Sequence, residues 1–309
     1  MHYCSPVKTQ RKGNGCFSKE SLIKLIDTWN KINPNNKIII KDSFSNKKLW
    51  TLLNDKMKNI YNDKDDWCWT TALDNMTTDT NDKKYIKGIS KELRPEKPVE
   101  WNKNPRTWLS NYDIDKVMKQ YESNKNNKFK FLGVFPIDFT VKDKFGKCLF
   151  SELCHIDIKD HIKKKIKFIG LITNLDKHNE PGSHWTSTFI IIDPKLKSYG
   201  AYYYDSTAKQ IPLYVFTFLK DIKKQLNEIY PTNNFKITYN KKQHQRKNTE
   251  CGMFSLLFQI RWLNYIKQNK DITFDDIIND PDIEDEHVFK LRDVLFRPNV
   301  KSIIKNKNV

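Results

Sequence analysis

An α+β fold, a mixed sheet flanked by helices, is predicted by three features of this 309-residue chain. Residues 252–266 contain no proline and are apolar on nearly every face, the pattern of a helix buried on most sides and hence central. Apolar runs of strand length at 129–136, 168–174, 186–192, 199–204 and 235–239 are set between longer helical patterns. Hydrophobic residues make up 38% of the chain, with 8 Trp, 13 Tyr and 18 Phe, enough for a large core. No apolar run approaches the roughly 18–20 residues needed to cross a bilayer. The opening Met1-His2-Tyr3-Cys4-Ser5-Pro6 has no apolar leader core, so neither membrane insertion nor secretion is expected.

Residues 1–17 read as an irregular, basic arm. Ser18 is placed to cap an amphipathic helix carrying Leu22, Ile23, Leu25, Ile26 and Trp29. A second helix is expected over about 47–60, with Leu49, Trp50, Leu52, Leu53 and Met57 apolar, followed by an acidic loop. Trp67 and Trp69 then read as core anchors. Pro95, Pro98 and Pro105 punctuate the chain as a linker. The expected organisation is therefore a helical N-terminal accessory domain, 1–95, and a second domain, 96–309.

In the second domain a helix from Asn111 carries Ile114, Val117, Met118 and Tyr121, and precedes the strand at 129–136. Residues 151–165 read as a helix with a lysine-rich solvated face, and 168–174 as a buried strand. A turn over 176–182 leads to His184 and the next strand. A short turn at Asp193-Pro194 connects to the strand ending at Asp205-Ser206. A helix runs from about 213 to 230, and the strand at 235–239 delivers the chain to a polar loop before the central helix. The acidic stretch 272–285, a last helix over 287–296 and a basic tail complete the chain.

The chemistry concentrates at the start of the central helix. Asn248 or Thr249 is the expected N-cap, with Glu250 in the first turn. Cys251 then sits where unpaired backbone N–H groups and the helix dipole favour a thiolate nucleophile. Of seven histidines, His184 lies at a strand mouth, positioned and partly exposed as a general base requires. The next strand ends at Asp205, close enough across a hairpin to fix the imidazole tautomer. Each feature also has a plainer reading: a buried structural cysteine, a surface histidine, a turn aspartate.

Their combination is more specific. The order His184-Trp185, Asp205-Ser206, then Gln245 six residues before Cys251-Gly252 resembles the clan CE cysteine proteases. That group includes the adenovirus endopeptidase, the SUMO-specific proteases and the polyprotein-processing proteases of large DNA viruses, such as African swine fever virus and giant viruses. Trp108-Leu109-Ser110-Asn111-Tyr112-Asp113-Ile114 also resembles the Trp-Leu-Asn-Asp-x-x-Ile opening of the SUMO proteases, with Ser-Asn replacing Asn-Asp. The resemblance covers roughly residues 100–300. It implies a papain-like fold with His184 as general base, Asp205 as its orienter, Gln245 as oxyanion donor and Cys251 as nucleophile. It further implies a substrate-binding role for Trp185 and Gly252, with Trp185 walling a channel for small residues. No cofactor and no metal are expected, since Cys148 and Cys154-His155 have no second ligand pair.

The implied activity is a thiol endopeptidase cleaving after small residues, Gly-Gly above all, to mature viral structural polyproteins in the virion and host cytoplasm. A SUMO- or ubiquitin-like deconjugase would use the same chemistry on a different protein partner. A net charge of +18 supports non-specific nucleic-acid attraction with steep salt dependence. It leaves a third reading, a non-catalytic basic core protein, against which the intact residue set argues. Only 7 of the 55 basic residues are arginine. The six cysteines (Cys4, Cys16, Cys68, Cys148, Cys154, Cys251) have no tight paired spacing and read as free thiols.

Overall fold

The structure, a computed structural model, describes residues 3–7, 15–58, 66–231, 234–269 and 271–299. Part of the expected N-terminal arm, the end of the second helix, the acidic loop before Trp67 and the basic tail lie outside these residues. By internal contacts the chain divides into Met1–Asn102 with Asp293–Val309, and Lys103–Arg292.

The first unit is helical. α1 (Lys19–Ile32) begins where the Ser18 hydroxyl accepts from Ser21 N–H, and α2 (Asn46–Met57) where Ser45 caps Lys48. Two more helices, α3 (Trp69–Met76) and α4 (Thr80–Ile89), were not expected from sequence. α3 has four buried residues and α4 only Asp82, Ile86 and Ile89, too few for a clear period. Leu22, Leu25, Trp29, Leu53 and Trp69 form one buried core. Fully burying such side chains contributes roughly 1.5–3 kcal/mol each. The proline segment is anchored: Arg297 accepts from Lys97 N–H (2.9 Å) and donates to the Pro95 carbonyl (2.8 Å). Its guanidinium pairs with Glu96 at 2.9 Å and donates to the Trp67 carbonyl at 2.7 Å.

The second unit opens with α5 (Asn111–Glu122), closed by a reciprocal Ser110–Asp113 capping box. It then runs β1 (Phe129–Pro136), α6 (Ser151–Cys154), α7 (Ile158–Lys163), β2 (Phe168–Asn174), β3 (Trp185–Ile191), β4 (Gly200–Tyr204), α8 (Leu213–Ile229), β5 (Lys236–Tyr239), α9 (Cys251–Gln268) and α10 (Phe274–Ile278). α11 (Asp285–Leu295) follows. The single helix expected over 151–165 is broken in two: α6 ends at its C-cap His155, and Asp157, in an extended conformation, caps α7 by accepting from Asp160 N–H. α10, inside the acidic stretch, was missed although Thr273 and Asp276 form a capping box.

The sheet order is β1-β2-β3-β4-β5, parallel at both outer pairs and antiparallel at the inner two. All seven residues of β2 are buried, as a strand covered on both faces requires. Ile169, Leu171, Ile190, Ala201 and Tyr203 pack with Val215, Phe218, Leu219 and Ile222 of α8. The alternate residues face α9: Phe189 stacks on Trp262 at 5.5 Å and Tyr204 on Phe258 at 4.7 Å. α9 buries 14 of its 18 residues, the central helix the sequence predicts. Its Gln259 donates to Ser187 Oγ and to the Thr188 carbonyl, both at 2.8 Å. Gly170 makes room for that amide: a Cβ there would lie 2.2 Å from Gln259 Oε1. Among the described residues, no helix is long and apolar enough to cross a membrane.

The free-thiol expectation is corrected for four cysteines. Cys4 pairs with Cys16 and Cys148 with Cys154, while Cys68 and Cys251 form no disulfide among the described residues. The paired cysteines are 12 and 6 residues apart, spacings that carry no local signature.

Candidate active site

His184 is delivered by the β2–β3 turn, which is held from both ends. Asn174 Oδ1 accepts from Asp176 N–H (3.0 Å) and Ser183 N–H (3.1 Å), and Asp176 accepts from Gly182 N–H (3.0 Å). Gly182 adopts φ +94°, and a Cβ there would meet Asn174 Nδ2 at 3.1 Å, so the turn needs glycine on two counts. The imidazole lands with Nε2 2.9 Å from Asp205 Oδ1, its side chain 17% exposed. It is also hydrogen-bonded to Cys251, for which Nδ1 is the nitrogen left. The imidazole thus lies between Asp205 and Cys251.

Asp205 is fully buried at the end of β4. Oδ1 also accepts from Thr207 N–H and Oγ, both at 2.7 Å. Burial opposes its ionisation, but His184 and Thr207 together hold its carboxyl below the usual range. The backbone is clamped by Asn240 just after β5: Asp205 N–H donates to Asn240 Oδ1 (2.9 Å), and Asn240 Nδ2 donates to the Asp205 carbonyl (2.7 Å). For His184, burial works against the charge, yet the bonds and charges of Asp205 and Cys251 outweigh it and push the pKa up to about 9.

That value has a sign. The folded pKa lies above the ordinary 6.5, so the stabilisation is full below about 6.5 and is lost as pH rises through about 9. An NMR titration of the His184 ring is expected to show its midpoint near 9, with unfolding free energy falling over the same window. Asp205→Asn should move the midpoint downward. A midpoint at the model-peptide value in the unmodified chain would contradict the pairing.

The other described histidines lack this setting. His244 is buried against Tyr204, accepts from its hydroxyl at Nδ1 (3.0 Å) and donates from Nε2 to the Ile278 carbonyl (3.0 Å). Burial pushes its pKa down to about 4, so it stays neutral and structural. His178 pairs with Asp138 (2.6 Å) in the wall of a neighbouring cleft.

Gln245 is buried on the loop after β5. Its Oε1 accepts from Ser206 Oγ (2.6 Å) and its Nε2 donates to the Lys247 carbonyl (2.5 Å). The Ser206 carbonyl accepts from both His244 N–H and Gln245 N–H at 2.9 Å. One unbroken series of contacts thus joins Cys251, His184, Asp205, Ser206 and Gln245.

Cys251 opens α9, 2% exposed. The expected cap is corrected: Glu250, not Asn248 or Thr249, is the N-cap, and no side chain caps the helix. The Glu250 carboxylate is instead drawn into a buried pair with Arg292 (2.8 Å), with Arg106 at 3.4 Å. Arg292 also donates to the Pro105 (3.1 Å) and Thr107 (2.8 Å) carbonyls. This ties the segment before α5 to the residue preceding the cysteine, and turns a competing carboxylate away from the first-turn N–H groups.

Trp185 Nε1 donates to the Leu109 carbonyl (3.0 Å), and Trp108 Nε1 to the Asn248 carbonyl (3.1 Å). Both rings line a cleft of about 410 Å³ with Pro136, His178 and Gly182. Gly252 sits against this wall: a Cβ there would lie 3.2 Å from both Leu109 and Trp185.

A mixed sheet with a cysteine opening its central helix, facing a histidine–aspartate pair at the adjoining strand ends, is the arrangement of a thiol peptidase. The chain is a cysteine-type peptidase, and its site resembles that of the clan CE cysteine proteases. It is 27% identical over 312 residues to a thiol protease of Acanthamoeba polyphaga mimivirus, covering 96% of this chain and 94% of that one. It is 28% identical over 217 residues to a cysteine protease of African swine fever virus, covering 68% and 75% respectively. The fold matches the crystal structure of an African swine fever virus protease with a TM-score of 0.63, at 19% identity and over 96% of each chain. No protein-family model matches the chain.

Sequence reasoning missed Asn240, Arg292 and the contacts of Trp108. Only Trp108 stood in a quoted motif. Asn240 had no local signal, because its partner is 35 residues away.

Proposed function

We propose that this peptidase is an endopeptidase that cleaves after small residues, Gly-Gly above all, in viral structural polyproteins during virion maturation. The observation that carries the catalytic assignment is the continuous contact series from Cys251 through His184, Asp205 and Ser206 to Gln245. Cys251 Sγ attacks the scissile carbonyl as the thiolate, forming a C–S bond. The oxyanion is met by the Cys251 N–H and the second N–H of the Gln245 amide. The His184 imidazolium protonates the departing amine as the C–N bond breaks, leaving a thioester. His184 then takes a proton from water, whose oxygen attacks the thioester, and the thiolate leaves.

The small-residue preference is supported by the packing beside the nucleophile. Trp185 and Trp108 are each fixed by an indole hydrogen bond, and a Cβ on Gly252 would lie 3.2 Å from Leu109 and Trp185. These walls cannot retreat without losing those bonds. A peptide library should show Gly-Gly before the cut favoured over bulky pairs by on the order of 10-fold or more in kcat/KM. Free acceptance of leucine or phenylalanine at both positions would sink the idea.

A deconjugase reading has one specific support: an African swine fever virus relative, 27% identical over 217 residues, is named a SUMO-1 cysteine protease. Presenting the same Gly-Gly end in a linear polyprotein and in an isopeptide-linked modifier separates the two. Residues 1–95 would then act as a substrate- or partner-docking domain and 96–309 as the catalytic one. The +18 charge supports a further, non-specific attraction to nucleic acid.

A further inference from the structure

We propose that Ser206 is a positioning residue for the oxyanion site, fixing which end of the Gln245 amide faces the substrate. The inference rests on Gln245 serving as oxyanion donor, and deepens that reading. A primary amide has one acceptor and one donor end of nearly equal shape, so only its hydrogen-bond partners decide its orientation. Ser206 is 1% exposed and its Oγ donates to Gln245 Oε1 at 2.6 Å. On the other end Nε2 donates to the Lys247 carbonyl at 2.5 Å, leaving one N–H for a ligand oxygen. The main chain adds to this: the Ser206 carbonyl holds the N–H groups of His244 and Gln245, each at 2.9 Å.

Removing the Ser206 hydroxyl leaves Oε1 buried without its donor, which costs more than the bond itself contributed. The amide is then free to turn, and a turned amide presents a carbonyl oxygen to the oxyanion. Because Asp205 precedes Ser206 directly, the His184 orienter and the Gln245 orienter are consecutive residues.

The test is a double-mutant cycle in the full chain with a Gly-Gly peptide: unmodified protein, Ser206→Ala, Gln245→Ala and the double variant. Ser206→Ala should lower kcat by about 10-fold with KM nearly unchanged. The double variant should match Gln245→Ala alone, because the hydroxyl acts only through the amide. Iodoacetamide labelling of Cys251 counts competent molecules, so a folding loss registers as a lower labelled fraction with unchanged kcat per labelled site, and counts against the proposal. As a readout independent of turnover, hydrogen exchange of the Gln245 side-chain amide should be slow in the unmodified protein and faster in Ser206→Ala. Multiplying factors in the double variant, or full kcat in Ser206→Ala alongside a slow Gln245→Ala, overturns the role of Ser206 alone. Full kcat in Gln245→Ala removes the oxyanion reading and this proposal with it.

Discussion

Replacing Cys251 with alanine is expected to abolish peptide cleavage, a loss on the order of a million-fold, while the fold persists. The side chain is 2% exposed and begins α9, where alanine is fully compatible with helix. What disappears is the sulfur proposed to form the acyl bond, so peptide binding should survive. The same residue should be the only fast target of iodoacetamide in the native protein. Cys68 is the one other cysteine outside a disulfide among the described residues, and it is buried in the helical unit. Native labelling mapped by peptide mass spectrometry should therefore find Cys251, with Cys68 reacting only after unfolding. Turnover retained in Cys251→Ala would place the nucleophile elsewhere.

The strands and the central helix were legible because their signals are local. The apolar run of β2 and the all-round apolarity of α9 follow from burial on both faces of the sheet and on most sides of one helix. The His184, Asp205, Gln245 and Cys251 set was legible as an ordered pattern, and the structure links these residues at one end of the sheet. What failed to show was long-range or weakly periodic. α3 and α4 present few buried residues, and the cysteine spacings carry no pairing signature. The contacts that hold the site, Asn240 on Asp205 and Arg292 on Glu250, span 35 and 42 residues.

One signal could have been read and was not. In a chain whose basic residues are overwhelmingly lysine, the arginines carry information, since a planar guanidinium suits buried multi-donor sites that lysine does not. Arg261, Arg292 and Arg297 are buried and pair with Asp280, Glu250 and Glu96 respectively. Arg292 alone joins three segments at the approach to Cys251: the loop before α5, the N-cap of α9 and α11 itself. In that lysine-rich sequence these three arginines each mark a structural joint.

Gln245→Ala is expected to lower kcat by about 100- to 1000-fold, equivalent to about 2.7–4 kcal/mol, with KM nearly unchanged. The split follows from when the charge appears. A neutral amide N–H gains little from a ground-state carbonyl and much from the oxygen once it carries a full charge beside Cys251. The geometry adds preorganisation: Ser206 and Lys247 hold the amide at both ends before substrate arrives, so no ordering cost falls on the reaction. Alkylation of Cys251 should persist, since iodoacetamide forms no oxyanion and the His184 contacts are untouched. Gln243→Ala is the matched control. Gln243 is exposed, and its Nε2 donates to the Gln245 backbone carbonyl (2.9 Å), not to the side-chain amide. Its loss removes one ordinary hydrogen bond and should change kcat by less than about 10-fold. Should Gln243→Ala be the damaging change while Gln245→Ala turns over normally, the donor has been assigned to the wrong residue of this loop.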